Sequence, residues 1–104
     1  MMPIFAYTIW PAREGMGPGN ATPEEQAAVG AHWNYLVSLN EAGRVKFVGR
    51  SDTPPFIGTC VFTASDQADA DATAGSDPAV KAKVFAMRCQ PYSIFFPEPE
   101  DHEA

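Results

Sequence analysis

The sequence has 104 residues, 45% of them hydrophobic and 12% aromatic, with seven Lys or Arg against thirteen Asp or Glu and a formal net charge of −6. So much apolar material excludes a disordered chain, and the low charge density excludes a coiled coil. The negative balance argues against a nucleic-acid backbone as ligand, because proteins that bind one concentrate Lys and Arg. Glu98, Glu100, Asp101 and Glu103 carry much of that balance, so residues 1–96 are expected to form one folded domain and 97–104 an acidic, disordered tail. No basic stretch leads into an apolar run, and none approaches the roughly 18 residues of a membrane span, so a cytoplasmic protein with no membrane partner is expected. Cys60 and Cys89 stand apart without a Cys-x-x-Cys pair or clustered histidines; they are expected to be buried thiols, with no metal site.

In chain order, residues 3–10 are β-branched and aromatic and end at Pro11, which predicts a first strand. Residues 11–21, with Gly15, Gly17, Pro18, Gly19 and Asn20, form a loop that has neither the GxGxxG spacing nor the lysine of a phosphate cradle, and a flexible connection is expected. Thr22-Pro23-Glu24-Glu25 is a capping box with proline at the first helical position, and Gly43 suits a helix end, so a helix is predicted over 23–42. Its apolar stripe runs through Val29, Trp33, Leu36, Val37 and Leu39. Residues 44–50 alternate polar and apolar and predict a strand near a sheet edge, whereas 56–63 predict a buried central strand. Ala64, Ala68 and Ala72 recur at one-turn spacing, which predicts a weak helix over 65–74; Gly75 interrupts it and Asp77-Pro78 restarts it through Val84. A last strand is predicted over 87–96, with Pro91 marking an edge or a bulge.

The order β-α-β-β-α-β is that of the α+β, ferredoxin-like sandwich, with two helices on one face of a four-stranded antiparallel sheet. Strands one, three and four read as apolar at odd and even positions alike, yet the helices cover one face only. A homodimer closed through the open sheet face, with a small-molecule pocket beside it, is therefore expected.

Three side chains are candidates for chemistry. His32 falls within the apolar stripe between Leu39 and Leu36, and is either a satisfied core histidine or a general acid–base. Asp77 is a ready helix cap, and its carboxylate is equally suited to orient an imidazole. Arg50, at the end of the second strand, is either a solvated edge charge or a clamp for an anionic substrate. Nucleophilic catalysis has little support: no Gly-x-Ser-x-Gly elbow occurs, Ser38 lies on the polar side of the first helix, and both cysteines sit mid-strand. Asp52 reads as a turn residue and His102 as part of the tail.

The runs Ala31-His32-Trp33-Asn34-Tyr35-Leu36, Glu41-Ala42-Gly43-Arg44, Val48-Gly49-Arg50, Gly58-Thr59-Cys60-Val61-Phe62, Ser76-Asp77-Pro78-Ala79-Val80-Lys81-Ala82 and Gln90-Pro91-Tyr92 resemble the YCII-related (YciI-like) family over about residues 3–96. The resemblance implies a dimeric α/β barrel and a His–Asp pair at the active site, here His32 and Asp77. Two departures bear on the pocket mouth: Arg50 stands where the family often has proline, and the first loop is long and glycine-rich. The function expected is a cofactor-independent lyase or isomerase, with no metal, that uses His32 as acid–base and Asp77 to orient it on a small anionic or carbonyl-containing molecule, with Arg50 in substrate binding. The alternative is a non-catalytic dimeric small-ligand-binding or regulatory module; a heme- or quinone-type monooxygenase on the same fold is a more distant third, since no redox cofactor motif appears.

Overall fold

A computed structural model describes residues 2–97. Its elements are β1 (Ile4–Pro11), α1 (Pro23–Glu41), β2 (Val45–Arg50), β3 (Gly58–Thr63), α2 (Gln67–Gly75), α3 (Pro78–Lys81) and β4 (Phe85–Pro91). The strands form one antiparallel sheet in the order β2-β3-β1-β4. The helices enter between β1 and β2 and between β3 and β4, which is the α+β ferredoxin-like arrangement. Residues 98–104, which hold almost all of the expected acidic tail and His102, lie outside the described residues.

Strand alternation decides what reaches the core. Phe5, Tyr7 and Ile9 on β1 join Cys60 and Phe62 on β3, with Leu36 of α1 and Ala70 and Ala74 of α2, in one buried cluster. Because β1 is central, Tyr7 is paired on both sides, with Cys60 and with Cys89. Its ring meets Phe62 edge-on at 5.7 Å. The middle of the core is thus aromatic, and tight at one fixed point on the sheet.

Helix α1 begins as its capping box requires. Thr22 Oγ1 accepts from Glu25 N at 3.1 Å, and Glu25 Oε1 accepts from Thr22 N at 2.9 Å. Gly43, just beyond its end, takes the left-handed conformation at φ +77° that a side chain would resist. Of the apolar stripe only Leu36 and Leu39 are buried, and Trp33 is 61% exposed. The helix therefore packs through a seam narrower than its apolar surface, leaving Trp33 free to wall a cavity.

Several boundaries differ from the sequence expectation, each for a local reason. In α2 the exposed alanines are Ala68 and Ala72, and the core receives Ala70, Thr73 and Ala74. Alanines all around a helix offer too little contrast to set its rotation. Polar contacts set it here: Thr73 O accepts from Tyr35 Oη at 2.7 Å and Thr73 Oγ1 from Arg44 at 3.0 Å. Strand β3 starts at Gly58, after the Ser51 hydroxyl has accepted from Ile57 N at 2.9 Å. Strand β4 covers 85–91 in place of 87–96, because its partner β1 runs out: Pro91 pairs with Phe5, and Tyr92 N makes the last bond, to Ile4 O at 3.0 Å. Phe95 and Phe96, beyond it, are 77% and 91% exposed.

The open sheet face is more mixed than expected. Ala6 and Val61 at its centre are already buried within the single chain, but Thr8 pairs with Arg88 and Ala6 with Gln90. Strand β4 therefore alternates cleanly, sending Met87 and Cys89 to the core and Arg88 and Gln90 to the other face. No helix among the described residues is long and apolar enough to cross a membrane.

Phe62 has no exposed surface and touches two rings and the Arg44 guanidinium. Phe62→Ala is expected to cost about 3–5 kcal/mol in urea unfolding; a loss below about 1 kcal/mol would contradict its place at the centre of the core.

Candidate functional site

Three elements converge on one carboxylate. Helix α1 carries His32 one turn before the buried Leu36, so the imidazole faces the sheet. The alternation of β1 sends Tyr7 inward from the opposite side. Between α2 and α3 the chain turns at Asp77, whose extended backbone (φ −60°, ψ 124°) lets it cap Pro78–Lys81. Asp77 is completely buried, which for a carboxylate is tolerable only with partners in place. Its Oδ1 accepts from Ala79 N at 2.9 Å. Its Oδ2 accepts from Tyr7 Oη at 2.9 Å and lies 2.5 Å from His32 Nδ1.

The electrostatics follow from those contacts. Burial alone would raise the Asp77 carboxyl, but the hydrogen bonds from His32, Ala79 and Tyr7 outweigh it and hold the group below its usual value. An ionised carboxylate only accepts, so His32 Nδ1 carries the hydrogen of the short contact. That leaves Nε2 unprotonated whenever the ring is neutral, and among the described residues it has no hydrogen-bond partner. The edge of the His32 ring contact with Phe85, at 5.2 Å and 81°, fixes the imidazole further. Burial, and then the Asp77 charge beside it, push the Tyr7 phenol far above its ordinary range, so Tyr7 serves as a donor that keeps its proton.

His32 and Tyr7 line a cavity of about 450 Å³ between the sheet and α1. Its other walls are almost wholly apolar, with Ile9, Val29, Trp33, Leu36, Phe56 and Phe85 among them. A concave space with mostly apolar walls and a few polar groups at its edge has the character of a small-molecule pocket. Cys60 lines it too, but burial pushes its thiol up to about 12, which leaves no useful thiolate near neutrality. Burial likewise pushes the Cys89 thiol up to about 11.

Loop 11–21 forms one wall and is built for it. Arg13 clasps Glu25 with two 2.8 Å hydrogen bonds and reaches Asn20 O at 3.1 Å. Asn20 in turn accepts from Gly17 N and donates to Gly15 O, each at 2.8 Å. The flexible connection expected from glycine content is thus a braced one, with Met16 buried beneath it. Gly17 lies against the Phe56 ring so closely that a Cβ there would sit 2.8 Å from Cε2, and this contact joins the loop to the opposite rim.

Of the residues singled out in the sequence, His32 and Asp77 meet although 45 positions separate them. Arg50 lies apart from that pair. It lines the same cavity with a half-exposed guanidinium, 5.4 Å from the Phe56 centroid and 3.9 Å from Asp52 Oδ1, and such an exposed ion pair yields easily to a better anion. Sequence reasoning missed Tyr7. The signal was present: a tyrosine between Phe5 and Ile9 on the inward positions of a central strand must find a buried partner for its hydroxyl. Among the described residues no group of three or more His, Cys, Asp or Glu side chains is placed to hold a metal ion.

Comparison with known proteins agrees with this architecture. The model of the YCII-related domain matches residues 11–89. Among solved structures, 5-chloro-2-hydroxyhydroquinone dehydrochlorinase (TftG) from Burkholderia phenoliruptrix AC1100, in complex with 2,5-dihydroxybenzoquinone, superposes with a TM-score of 0.62 at 18% identity, over 86% of this chain and 93% of that one. At that identity the likeness establishes the fold. No curated protein matches the chain.

Because the folded-state Asp77 is held below the unfolded value of about 3.9, its ionised form contributes stability that is present above that pH. The contribution is lost as pH falls through the folded-state value. Asp77→Asn is expected to lose about 1–3 kcal/mol at neutral pH and to flatten the acid limb of stability below about pH 4. Urea titrations across pH measure both, and an acid limb as steep as that of the parent protein would contradict an ionised, hydrogen-bonded Asp77.

Proposed function

The chain belongs to the YCII-related family, and from that membership and the His32–Asp77 contact at the cavity wall we propose that it is a small-molecule-processing enzyme of the lyase or isomerase kind, working by acid–base chemistry. The single observation that carries this reading is the 2.5 Å contact between Nδ1 of His32, a residue that lines the cavity, and a fully buried carboxylate. In this reading Nε2 takes a proton from an acidic O–H, or from a C–H beside a carbonyl. Asp77 steadies the imidazolium that forms. The proton then returns to a different atom of the ligand, or stays on the ring until product leaves while an anionic group departs.

The apolar walls favour a ring compound over a charged, flexible one. Its anionic or carbonyl substituents would face His32 at one end and Arg50 at the mouth. The ligand of TftG, 2,5-dihydroxybenzoquinone, has that shape and acidity and is the first probe to offer. A homodimer is part of the proposal: the exposed aromatics after β4, Phe95 and Phe96, favour a second copy of the chain. A dimer mass in light scattering at micromolar concentration is expected, and a monomer there would contradict it.

The catalytic test uses hydroxyquinones and chlorinated hydroxyhydroquinones, with proton exchange and chloride release followed by NMR and ion chromatography. His32→Ala is expected to lower turnover by about 10²–10⁴-fold while leaving the fold intact. Undiminished turnover in that variant would end the catalytic role of His32. Binding without conversion of any compound would favour the alternative, a non-catalytic dimeric small-ligand-binding module.

A further inference from the structure

Asp77 is shared, and the sharing is uneven. Oδ1 is occupied by the Ala79 amide at 2.9 Å, whereas the Tyr7 hydroxyl and His32 Nδ1 both address Oδ2. From this we infer that Tyr7 is a positioning residue for the His32–Asp77 pair: its hydroxyl fixes the carboxylate to the sheet and draws on the negative charge that Asp77 presents to the imidazole. The inference rests on the acid–base reading of that pair and adds a regulator of its strength.

The geometry supports both halves of the role. The anchor is rigid, since Tyr7 sits on a central strand with pairing on either side and its ring packs edge-on against Phe62. Asp77, in contrast, belongs to a short connection between α2 and the four-residue α3. A phenol fixed in the sheet can therefore hold the Asp77 rotamer where His32 needs it. Burial and the neighbouring charge keep the phenol protonated, so it remains a donor throughout the range in which an imidazole titrates. A donor on the same oxygen as the imidazole withdraws part of the field that would otherwise stabilise the imidazolium.

Other groups around the pair supply no substitute. From β3 comes Cys60, whose thiol stays neutral, and from β4 Cys89, also neutral, with the Phe85 ring edge. From α1 comes Tyr35, pushed up by burial and donating to Thr73 O. Arg44 of the α1–β2 connection is spent on Thr63 O and Thr73 Oγ1. Arg50 of β2 is at the cavity mouth beside Asp52. Tyr7 is the remaining hydroxyl on the carboxylate itself.

The test is the titration of His32 followed by ring-proton NMR in the whole protein, in Tyr7→Phe, in Asp77→Asn, and in a protein with 3-fluorotyrosine placed at position 7. Tyr7→Phe keeps the ring in the core and removes one donor, so the carboxylate acts more strongly on His32. Its proton affinity is expected to rise roughly 3- to 10-fold, a midpoint about 0.5–1 pH unit higher. The fluorinated phenol, a stronger donor of nearly the same shape, is expected to move the midpoint down, and it decides the matter if Tyr7→Phe does not fold. A midpoint that shifts in Asp77→Asn but in neither Tyr7 variant would overturn the role of Tyr7 and leave the pair standing. If the midpoint moves in none of them, the pair itself fails and the inference fails with it.

Discussion

One buried carboxylate organises this molecule. Asp77 has no contact with water, and its charge is tolerable only because an amide, a phenol and an imidazole reach it from the α3 turn, from β1 and from α1. Those elements are far apart in the chain, so meeting the needs of one group fixes how helix and sheet are placed. The same contacts consume Nδ1 of His32, a residue that lines the cavity, and leave Nε2 without a hydrogen-bond partner among the described residues. The helix cap and the placement of the imidazole thus share one group, since the carboxylate that starts α3 is also the one His32 Nδ1 meets.

The surroundings follow the same division of labour. A nearly apolar cavity lets the few polar groups at its edge act with little competition from solvent. The glycine-rich loop that closes one side is held by Arg13, Glu25 and Asn20, and its Gly17 exists where any side chain would strike Phe56. Glu25 serves twice, capping α1 and clasping Arg13, whose hydrogen bond holds its carboxyl down at about 2. The wall of the cavity is therefore tied to the first turn of the helix that carries His32.

Much of this was legible in the sequence because it is written in short-range patterns. The capping box at Thr22, the Asp77-Pro78 restart and the edge character of β2 all depend on neighbours within a few residues, and the element order alone identified the α+β ferredoxin-like sandwich. His32 within an apolar stripe was visible as a question, and the family resemblance pointed to Asp77 as its answer. What stayed hidden depends on contacts distant in sequence. The rotation of α2 is set by Tyr35 and Arg44, beyond the reach of its own alanines. The end of β4 is set by where β1 begins. Tyr7 looked like one more aromatic strand residue until the partner of its hydroxyl was in place.

The central claim is that an ionised Asp77 holds His32 in a single tautomer with its basic nitrogen toward the cavity. Nitrogen-15 NMR of the His32 ring above its titration tests this most directly, because protonated and bare ring nitrogens resonate far apart. The account predicts a hydrogen on Nδ1 and a bare Nε2. A ring protonated on Nε2, or exchanging between the two forms as a free imidazole does, would contradict it.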